Sequence, residues 1–587
     1  MAISDTPNLQ QLNTASESTL HGLLRERAEA QPEDVAYTFF DGVKSETETQ
    51  MTFSAVDAAA RAVASALTAE DASGRRVLLA HASARHYISG LFGCLYAGAV
   101  PVSAMAPEPV RPAATLGHLE AIRRDAGAEL ALCSTGTREW MSGREDAPPL
   151  RWVATDELPP ADVETTGFSE SADIPAYIQY TSGSTERPKG VELSHANFLA
   201  NLEVMRELCA MGSDSVIASW LPLFHDMGLV GPVLHPLYLG CRTAFISPVS
   251  FLLRPVRWLG VISSERATIT GGPNFAFDLV AERTTFDQRA GLDLSSWTHA
   301  INGAEPIRPD TLRRFERAFA PVGYRAQTMA PALGMAEATC MVTGSISAQR
   351  PLLRSFVRRD LGEGLAVDAA GAEEDVIELV GCGVPAGGHR VLIVDPDERA
   401  VLEEGRVGEV WVSGPSVARG YVGQLERSAA MFKARLSDGG GPFLRTGDLG
   451  FQRAGETFVV GRIKELVIVR GQNHLPHDLE RTAAASNPLL AANGTAAFSI
   501  VEGGEEQLVI VQELSSLDVA EVGPIIESIR DALVRDHGIK PAATILIPPG
   551  SLPKTPTGKI RRAACRDLYR EGGLEAIPVA ERMEAGL

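Results

Sequence analysis

Apolar positions along this chain recur with two periods, and the two alternate over most of its length. Val56, Ala60, Val63 and Leu67 fall three or four apart and make one helical stripe, and after Gly74 the run 77–80 is apolar throughout, as in a strand buried on both faces. Runs of the second kind return at 130–133, 216–218 and 391–394. Ser194 stands where it can cap a helix whose stripe is Phe198, Leu202, Met205 and Leu208. Helices alternating with short apolar strands predict an α/β protein with buried sheets of parallel or mixed order. The uncharged stretch 87–107 is long enough to raise a membrane span, but Gly90, Gly93, Gly98, Pro101 and Pro107 interrupt it. It reads as a buried helix turning into a buried strand.

Past residue 462 the pattern changes. A strand at 466–469, another at 508–511, a helix with Ile525, Ile529 and Leu533 ended by Gly538, and a strand at 544–547 predict a small α+β unit. The expected division is a disordered terminus over 1–18, a large N-terminal domain of several subdomains over 19–462, and a small mobile C-terminal domain over 463–587. There are no internal repeats, and 366–375 is the one acidic, Gly/Ala-rich patch.

Charge narrows the partners. Lys and Arg number 54 against 74 Asp and Glu, a net charge of −20, which argues against nucleic acid or an anionic membrane as the main partner. An anionic ligand must then be held by local arrangement. The seven cysteines stand singly with no C-x-x-C pair, as buried thiols of a reducing compartment, and the polar first twenty residues carry no apolar signal core. A cytoplasmic location is expected.

The segment 177–190 reads Y-I-Q-Y-T-S-G-S-T-E-R-P-K-G. It places Thr181, Ser182, Gly183, Ser184 and Thr185 in a tight loop after an apolar strand, with Lys189 at the far end. Hydroxyls and unblocked backbone N–H groups can all point at one polyanion, so the loop suits phosphate. The spacing is not G-x-x-x-x-G-K-[ST], so the common nucleotide-hydrolase class is not supported. A flexible Ser/Gly linker is the bland alternative; an apolar strand before and an amphipathic helix after speak against it.

Six further motifs follow in order: L-P-L-F-H-D-M-G-L at 221–229, N-G-A-E-P at 302–306, G-M-A-E-A-T at 334–339, R-T-G-D at 445–448, G-R-I-K at 461–464 and P-K-T-P-T-G-K-I at 553–560. With the Ser/Thr/Gly loop they resemble the acyl-activating, adenylate-forming superfamily. The longer segments 219–240, 247–279 (with R-P-x-R-W and G-G-P-N-F-A-F-D-L) and 470–480 resemble its fatty acyl-AMP ligases. The likeness runs from about Leu20 to about Arg566.

That resemblance implies a chemistry. A carboxylate attacks the α-phosphate of ATP, giving an acyl-adenylate and pyrophosphate, and charge building on the phosphate calls for preplaced cations. By resemblance Glu337 holds Mg²⁺, Asp448 accepts from the ribose hydroxyls, Arg462 assists at ribose and phosphate, and Lys559 meets the α-phosphate and the attacking carboxylate. Gly303, Ala304, Glu305, Leu333, Gly334 and Met335 join the 181–185 loop and Lys189 around ATP, and Lys464 is the hinge of the small domain. His225 is either a gate in the acyl or carrier channel or a hydrogen-bonded core histidine. Taken alone, Glu337 is a solvated helix residue and Asp448 a turn aspartate. Two positions depart from the family pattern: Leu333 stands where an aromatic residue usually stacks on adenine, and Glu186 where a glycine is common.

Three functions compete. One is a ligase that activates a medium- or long-chain fatty acid and loads it on an acyl carrier protein supplied in trans; another uses free CoA; the third is a catalytically weak acyl- or nucleotide-binding relative. An amino-acid-activating enzyme is disfavoured, because F-H-D-M has no aspartate directly after the Phe to meet an ammonium group. The segment 345–379 resembles the insertion that marks the acyl-AMP ligases, with Phe356, Val357 and Leu361 available to dock on the large domain. A basic patch of Arg561, Arg562 and Arg566 is the expected carrier contact.

Overall fold

In the computed structural model two large sheets have parallel centres, closed by antiparallel strands at both edges of the first and at one edge of the second. The model describes residues 19–41, 47–110, 112–161, 171–181, 188–346, 349–371, 375–469, 472–502, 505–517, 522–555 and 558–578. In the first sheet the strands Val35–Asp41, Arg242–Ile246, Val216–Ser219, Ile269–Gly272, His299–Asn302 and Met329–Gly334 run parallel. Thr47–Thr52 closes one edge, and Met341–Gly344 with Val384–Pro385 closes the other, all antiparallel. The second sheet has Pro175–Thr181, Val100–Ser103, Arg76–Leu79, Leu130–Cys133 and Arg151–Ala154 in parallel, then Lys189–Ser194 and Gly420–Tyr421 antiparallel at one side. Leu130–Cys133 is buried at every position, which is why it reads as an unbroken apolar run; His299–Asn302 is equally buried although its ends are polar.

Helices lie on these sheets and seal the core. Phe53–Ala69 buries Val56, Ala60, Val63 and Leu67, and crosses Ala84–Tyr96 so closely that a Cβ on Gly93 would sit 2.4 Å from Val63 Cβ. The uncharged stretch is therefore that helix followed by the strand Val100–Ser103. Among the described residues no helix is long and apolar enough to cross a membrane. Ser194 caps His195–Leu208 in a reciprocal pair with Asn197.

One strand run belongs elsewhere than its pattern implies. Arg390–Val394 sits in a wholly antiparallel four-stranded sheet with Gly408–Ser413, Leu444–Arg453 and Glu456–Arg462. A short apolar run reports burial and says nothing of strand direction. The segment 345–379 contributes Leu353–Val357, which pairs antiparallel with Val376–Val380, and the short helix Arg358–Gly362. Phe356 is fully buried against Phe451 and Phe458, ring centroids 5.0 and 5.7 Å apart, Leu361 is buried beside it, and Val357 is half-buried.

After the turn Ile463–Glu465 comes a separate packing unit. Leu490–Glu502 pairs antiparallel with Glu505–Leu514, which pairs parallel with Ala543–Ile547. Pro476–Ala485 and Gly523–His537 cover the sheet with Leu479, Ile525, Ile529 and Leu533, and Gly538 ends the second helix at φ +64°. The expected strand at 466–469 is Val467–Val469.

Candidate active site

Parallel strands deliver their carboxyl ends to one edge of the first sheet, and the loops that leave them enclose a cavity. Val216–Ser219 leads to Leu221, His225 and Asp226, Ile269–Gly272 to Pro273, His299–Asn302 to Gly303, Ala304 and Glu305, and Met329–Gly334 to Met335 and Glu337. All of these line a cavity of about 260 Å³, and Lys189, Arg462 and Lys559 reach into its wall from other elements. A neighbouring cavity of about 140 Å³ shares Ala304, Glu305, Leu333, Gly334, Arg462 and Lys559 and adds Asp448. One of the expected positions stands apart from both walls: Lys464 is exposed on the turn Ile463–Glu465. The backbone of Thr181 ends the strand Pro175–Thr181. Ser182, Gly183, Ser184, Thr185 and Glu186 lie outside the described residues. The backbones of Thr181 and Lys189 pair directly, so the loop between them closes a hairpin whose second strand, Lys189–Ser194, the periodicity does not reveal.

Backbone shape matters at two points. A Cβ on Gly334 would lie 2.1 Å from the Cys340 carbonyl oxygen, so glycine alone lets the chain turn there toward Glu337. Ala304 is held at φ +66°, a left-handed conformation that strains any residue with a Cβ. Its carbonyl oxygen accepts a 3.4 Å hydrogen bond from Lys559 Nζ, which joins the C-terminal unit to the large sheet.

Charges meet around this contact. Burial, reinforced by the Arg462 guanidinium, lowers the Lys559 ammonium from its ordinary value. Arg462 Nε donates to Asp448 Oδ1 at 2.8 Å, and that carboxylate raises the guanidinium above its ordinary value. Asp448 is presented by a turn built on Glu409, which is buried: Glu409 accepts from Gly447 N at 3.1 Å, Arg445 Nε at 2.8 Å and Trp411 Nε1 at 2.9 Å. Burial raises Glu305, whose Oε1 accepts from Phe275 N. At the other side His225 Nδ1 lies 2.7 Å from Asp226 Oδ1. Burial disfavours the imidazolium, but the Asp226 charge and hydrogen bond together outweigh it, so His225 is raised and Asp226 lowered from their ordinary values. Glu337 Oε1 accepts from the Tyr421 hydroxyl at 2.8 Å.

Beyond these groups the cavity turns apolar. Met205, Met211, Ile217, Ile269, Pro232 and Met341 line it. The chain there passes through a π-helical segment, Val230–Leu234, in which a Cβ on Gly231 would stand 3.1 Å from Met205 Cε. A polar, cationic mouth thus continues into a hydrophobic pocket, as an amphiphilic ligand requires.

A family profile described as AMP-binding enzyme matches residues 24–422. The chain belongs to the AMP-binding enzyme family. Its relatives within that family include a medium-chain-fatty-acid–[acyl-carrier-protein] ligase of Moorena producens, 39% identical over 95% of this chain and 96% of the relative. A long-chain-fatty-acid–AMP ligase of Mycobacterium marinum is 34% identical over 96% of this chain and 99% of its own. The solved fatty acyl-adenylate ligase from L. pneumophila, in complex with acyl adenylate and pyrophosphate, superposes with a TM-score of 0.73 at 33% identity, covering 96% of this chain and 97% of that one. AMP-binding enzymes use ATP, and the cavity sits where this family's motifs converge.

Sequence reasoning missed Asp226, Glu409 and Tyr421. Asp226 adjoins His225 and could have been weighed with it, whereas Glu409 and Tyr421 carry no local signal and matter through distant partners. The basic patch needs correction. Arg562 turns inward, donating from Nε to Glu480 at 2.7 Å and from Nη1 to Glu465 at 2.5 Å. Burial works against its charge, and the two carboxylates outweigh burial and raise it. Arg566 lies 3.8 Å from Asp567, and Arg561 is the one member of the three that is exposed.

Proposed function

We propose that this AMP-binding enzyme activates a medium- or long-chain fatty acid as its acyl-adenylate and passes the acyl group to the phosphopantetheine thiol of an acyl carrier protein supplied in trans. The observation that carries this reading is the single cavity that runs from Met205, Met211 and Ile217 to Glu337, Arg462 and Lys559. An alkyl chain in the apolar end puts its carboxylate at the charged mouth. One carboxylate oxygen attacks the α-phosphorus of ATP, the bond to the bridging oxygen breaks, and pyrophosphate leaves. The thiolate then attacks the acyl carbon, and AMP leaves with the electron pair of the broken C–O bond.

Each residue has a proposed part. Lys559, held at Ala304, faces the α-phosphate and the attacking carboxylate, so its charge meets the charge that builds in the transition state. Arg462 and Asp448 hold ribose and phosphate as a pair, and Leu333 offers adenine an apolar surface. His225, whose imidazolium form the Asp226 carboxylate favours, lines the same cavity and is assigned to the substrate carboxylate. Ser182, Gly183, Ser184 and Thr185, between the paired ends Thr181 and Lys189, are assigned to the triphosphate with Lys189. Glu337 fits Mg²⁺: its carboxylate is on the wall of the cavity that Arg462 and Lys559 also enter, and a single carboxylate completed by phosphate oxygens and water would suit a small hard cation. When bound, Mg²⁺ neutralises charge on the phosphates.

The preference for a carrier protein over free CoA rests on the 345–379 segment. It packs on the large domain through Phe356 and also grips the C-terminal unit, where Arg358 pairs with Asp478 and Asn473 Nδ2 donates to the Gly362 carbonyl at 3.3 Å. Those contacts resist the swing about Lys464 that thioester formation needs, and a carrier protein adds binding energy from its own surface to overcome them. Mass spectrometry of products from ATP, Mg²⁺ and a panel of fatty acids, with and without CoA and holo carrier protein, tests the reading. Acyl-AMP and acyl-carrier are expected; rapid acyl-CoA formation would replace the acceptor, and no acyl-AMP with any acid would refute catalysis.

A further inference from the structure

The segment that follows the strand Gly408–Ser413 returns to the Glu337 turn and binds it tightly. Ala418 N donates to the Glu337 carbonyl at 2.9 Å, Ser416 Oγ to the Ala338 carbonyl at 3.0 Å, and Thr339 Oγ1 to the Ser416 carbonyl at 2.7 Å. Thr339 is fully buried at φ +73°, a conformation that a threonine holds only where its surroundings over-determine it. From the helix side Asn201 Nδ2 donates to the Ala338 and Met341 carbonyls at 3.2 and 2.8 Å, and Asn197 Nδ2 to the Pro415 and Val417 carbonyls at 2.9 and 3.1 Å. The turn and the returning segment are thus one rigid piece.

Tyr421 ends that segment and is itself anchored on all sides. Gly420 and Tyr421 pair with Glu192 and Val191 of Lys189–Ser194, Val422 N donates to the Gly190 carbonyl at 2.8 Å, and Tyr421 N donates to Ser428 Oγ at 2.8 Å. Its ring meets Phe432 edge-on at 5.0 Å between centroids, with the Arg427 guanidinium 5.5 Å from the ring centre. From this fixed frame the hydroxyl reaches Glu337 Oε1. We infer that Tyr421 is a positioning residue for Glu337: it engages one carboxylate oxygen, leaves the other for the cation, and ties the carboxylate to the strand that closes the phosphate-facing hairpin. A lone glutamate with free rotamers would sample several directions; a donor on a rigid element selects one. The inference rests on the proposed role of Glu337.

Tyr421→Phe keeps the ring and its packing and removes only the donor. Partners of this kind typically change metal affinity or activity by about 10–100-fold. The expected result is a rise of that order in the Mg²⁺ concentration that half-saturates adenylation, with the rate recovering at high Mg²⁺ and the melting temperature unchanged. Mn²⁺ titrated into the protein with a non-hydrolysable ATP analogue, followed by electron paramagnetic resonance, should show the same loss of affinity without turnover. In a Glu337→Gln background the added Tyr421→Phe change should have little further effect, because it acts through the carboxylate. Unchanged Mn²⁺ affinity in folded Tyr421→Phe, or an effect that persists in full beside Glu337→Gln, overturns the inference. If Glu337→Gln alone leaves Mn²⁺ affinity unchanged, the metal assignment fails first, so the two failures are distinct.

Discussion

Replacing Lys559 by Met should abolish most adenylate formation and leave the fold at least as stable. Among the described residues the side chain makes one long hydrogen bond, 3.4 Å to the Ala304 carbonyl, and methionine keeps the length of the stem. A unit charge about 4 Å from a phosphate oxygen is worth ~4 kcal/mol at the effective dielectric of a partly buried site. Loss of one preorganised donor to a developing charge costs about a hundred- to a thousandfold in rate, which agrees with the upper part of that figure being specific to the transition state. Stability runs the other way. Burial and Arg462 lower Lys559 from its ordinary 10.5, so the folded protein binds this proton less well than the unfolded chain. That penalty is full at pH values below the lowered folded value and is relieved as pH rises through it toward 10.5. Lys559→Met should therefore melt no lower than the wild type at neutral pH, with any advantage shrinking in alkaline buffer. The ammonium is also the active form, so kcat/KM for ATP should fall at a pH below the ordinary lysine range. Pyrophosphate release, acyl-AMP by mass spectrometry, and melting temperature across pH make up the assay. Near wild-type pyrophosphate release from a folded Lys559→Met protein would falsify the assignment.

Three further outcomes are expected. Leu333→Tyr should lower the ATP Michaelis constant about fivefold, an aromatic contact of about 1 kcal/mol, if adenine lies against that position; an unchanged or raised constant shows that adenine is held elsewhere. Gly231→Leu should shift the preferred acid to shorter chains, each excluded methylene costing ~0.8 kcal/mol or about fourfold in kcat/KM, since the new side chain enters the apolar end beside Met205; an unchanged chain-length profile places the alkyl chain elsewhere. Arg358→Ala removes the insertion's ion pair with Asp478, together with its bonds to Asp375 and the Val376 carbonyl inside the insertion, while Arg481 still pairs with Asp478; an ion pair of about 1 kcal/mol corresponds to about fivefold more access to the swung pose. Acyl-CoA formation should rise by up to that factor with adenylate formation unchanged, and no rise refutes the latch.

Much of this architecture is written locally. The stripe of Val56, Ala60, Val63 and Leu67, the cap at Ser194 and the αL stop at Gly538 are each set by residues within a turn or two, because periodic burial and terminal hydrogen bonds are short-range demands. The ordered motifs carried the family in the same way, and with it the residues that the cavity gathers: His225, Glu337, Arg462 and Lys559. What periodicity could not convey is direction and partnership. The run 391–394 looks like any parallel-sheet strand, yet it is antiparallel, since strand direction depends on how the chain returns. Arg562 reads as surface charge, and Glu465 and Glu480, 97 and 82 residues earlier in the chain, turn it inward. Tyr421 has no motif of its own; it matters because two strands and a helix place its hydroxyl on a carboxylate 84 positions earlier. Local chemistry writes the elements and the reactive residues, and long-range packing alone chooses which carboxylate meets which donor, because that choice is a sum over contacts between segments distant in the chain.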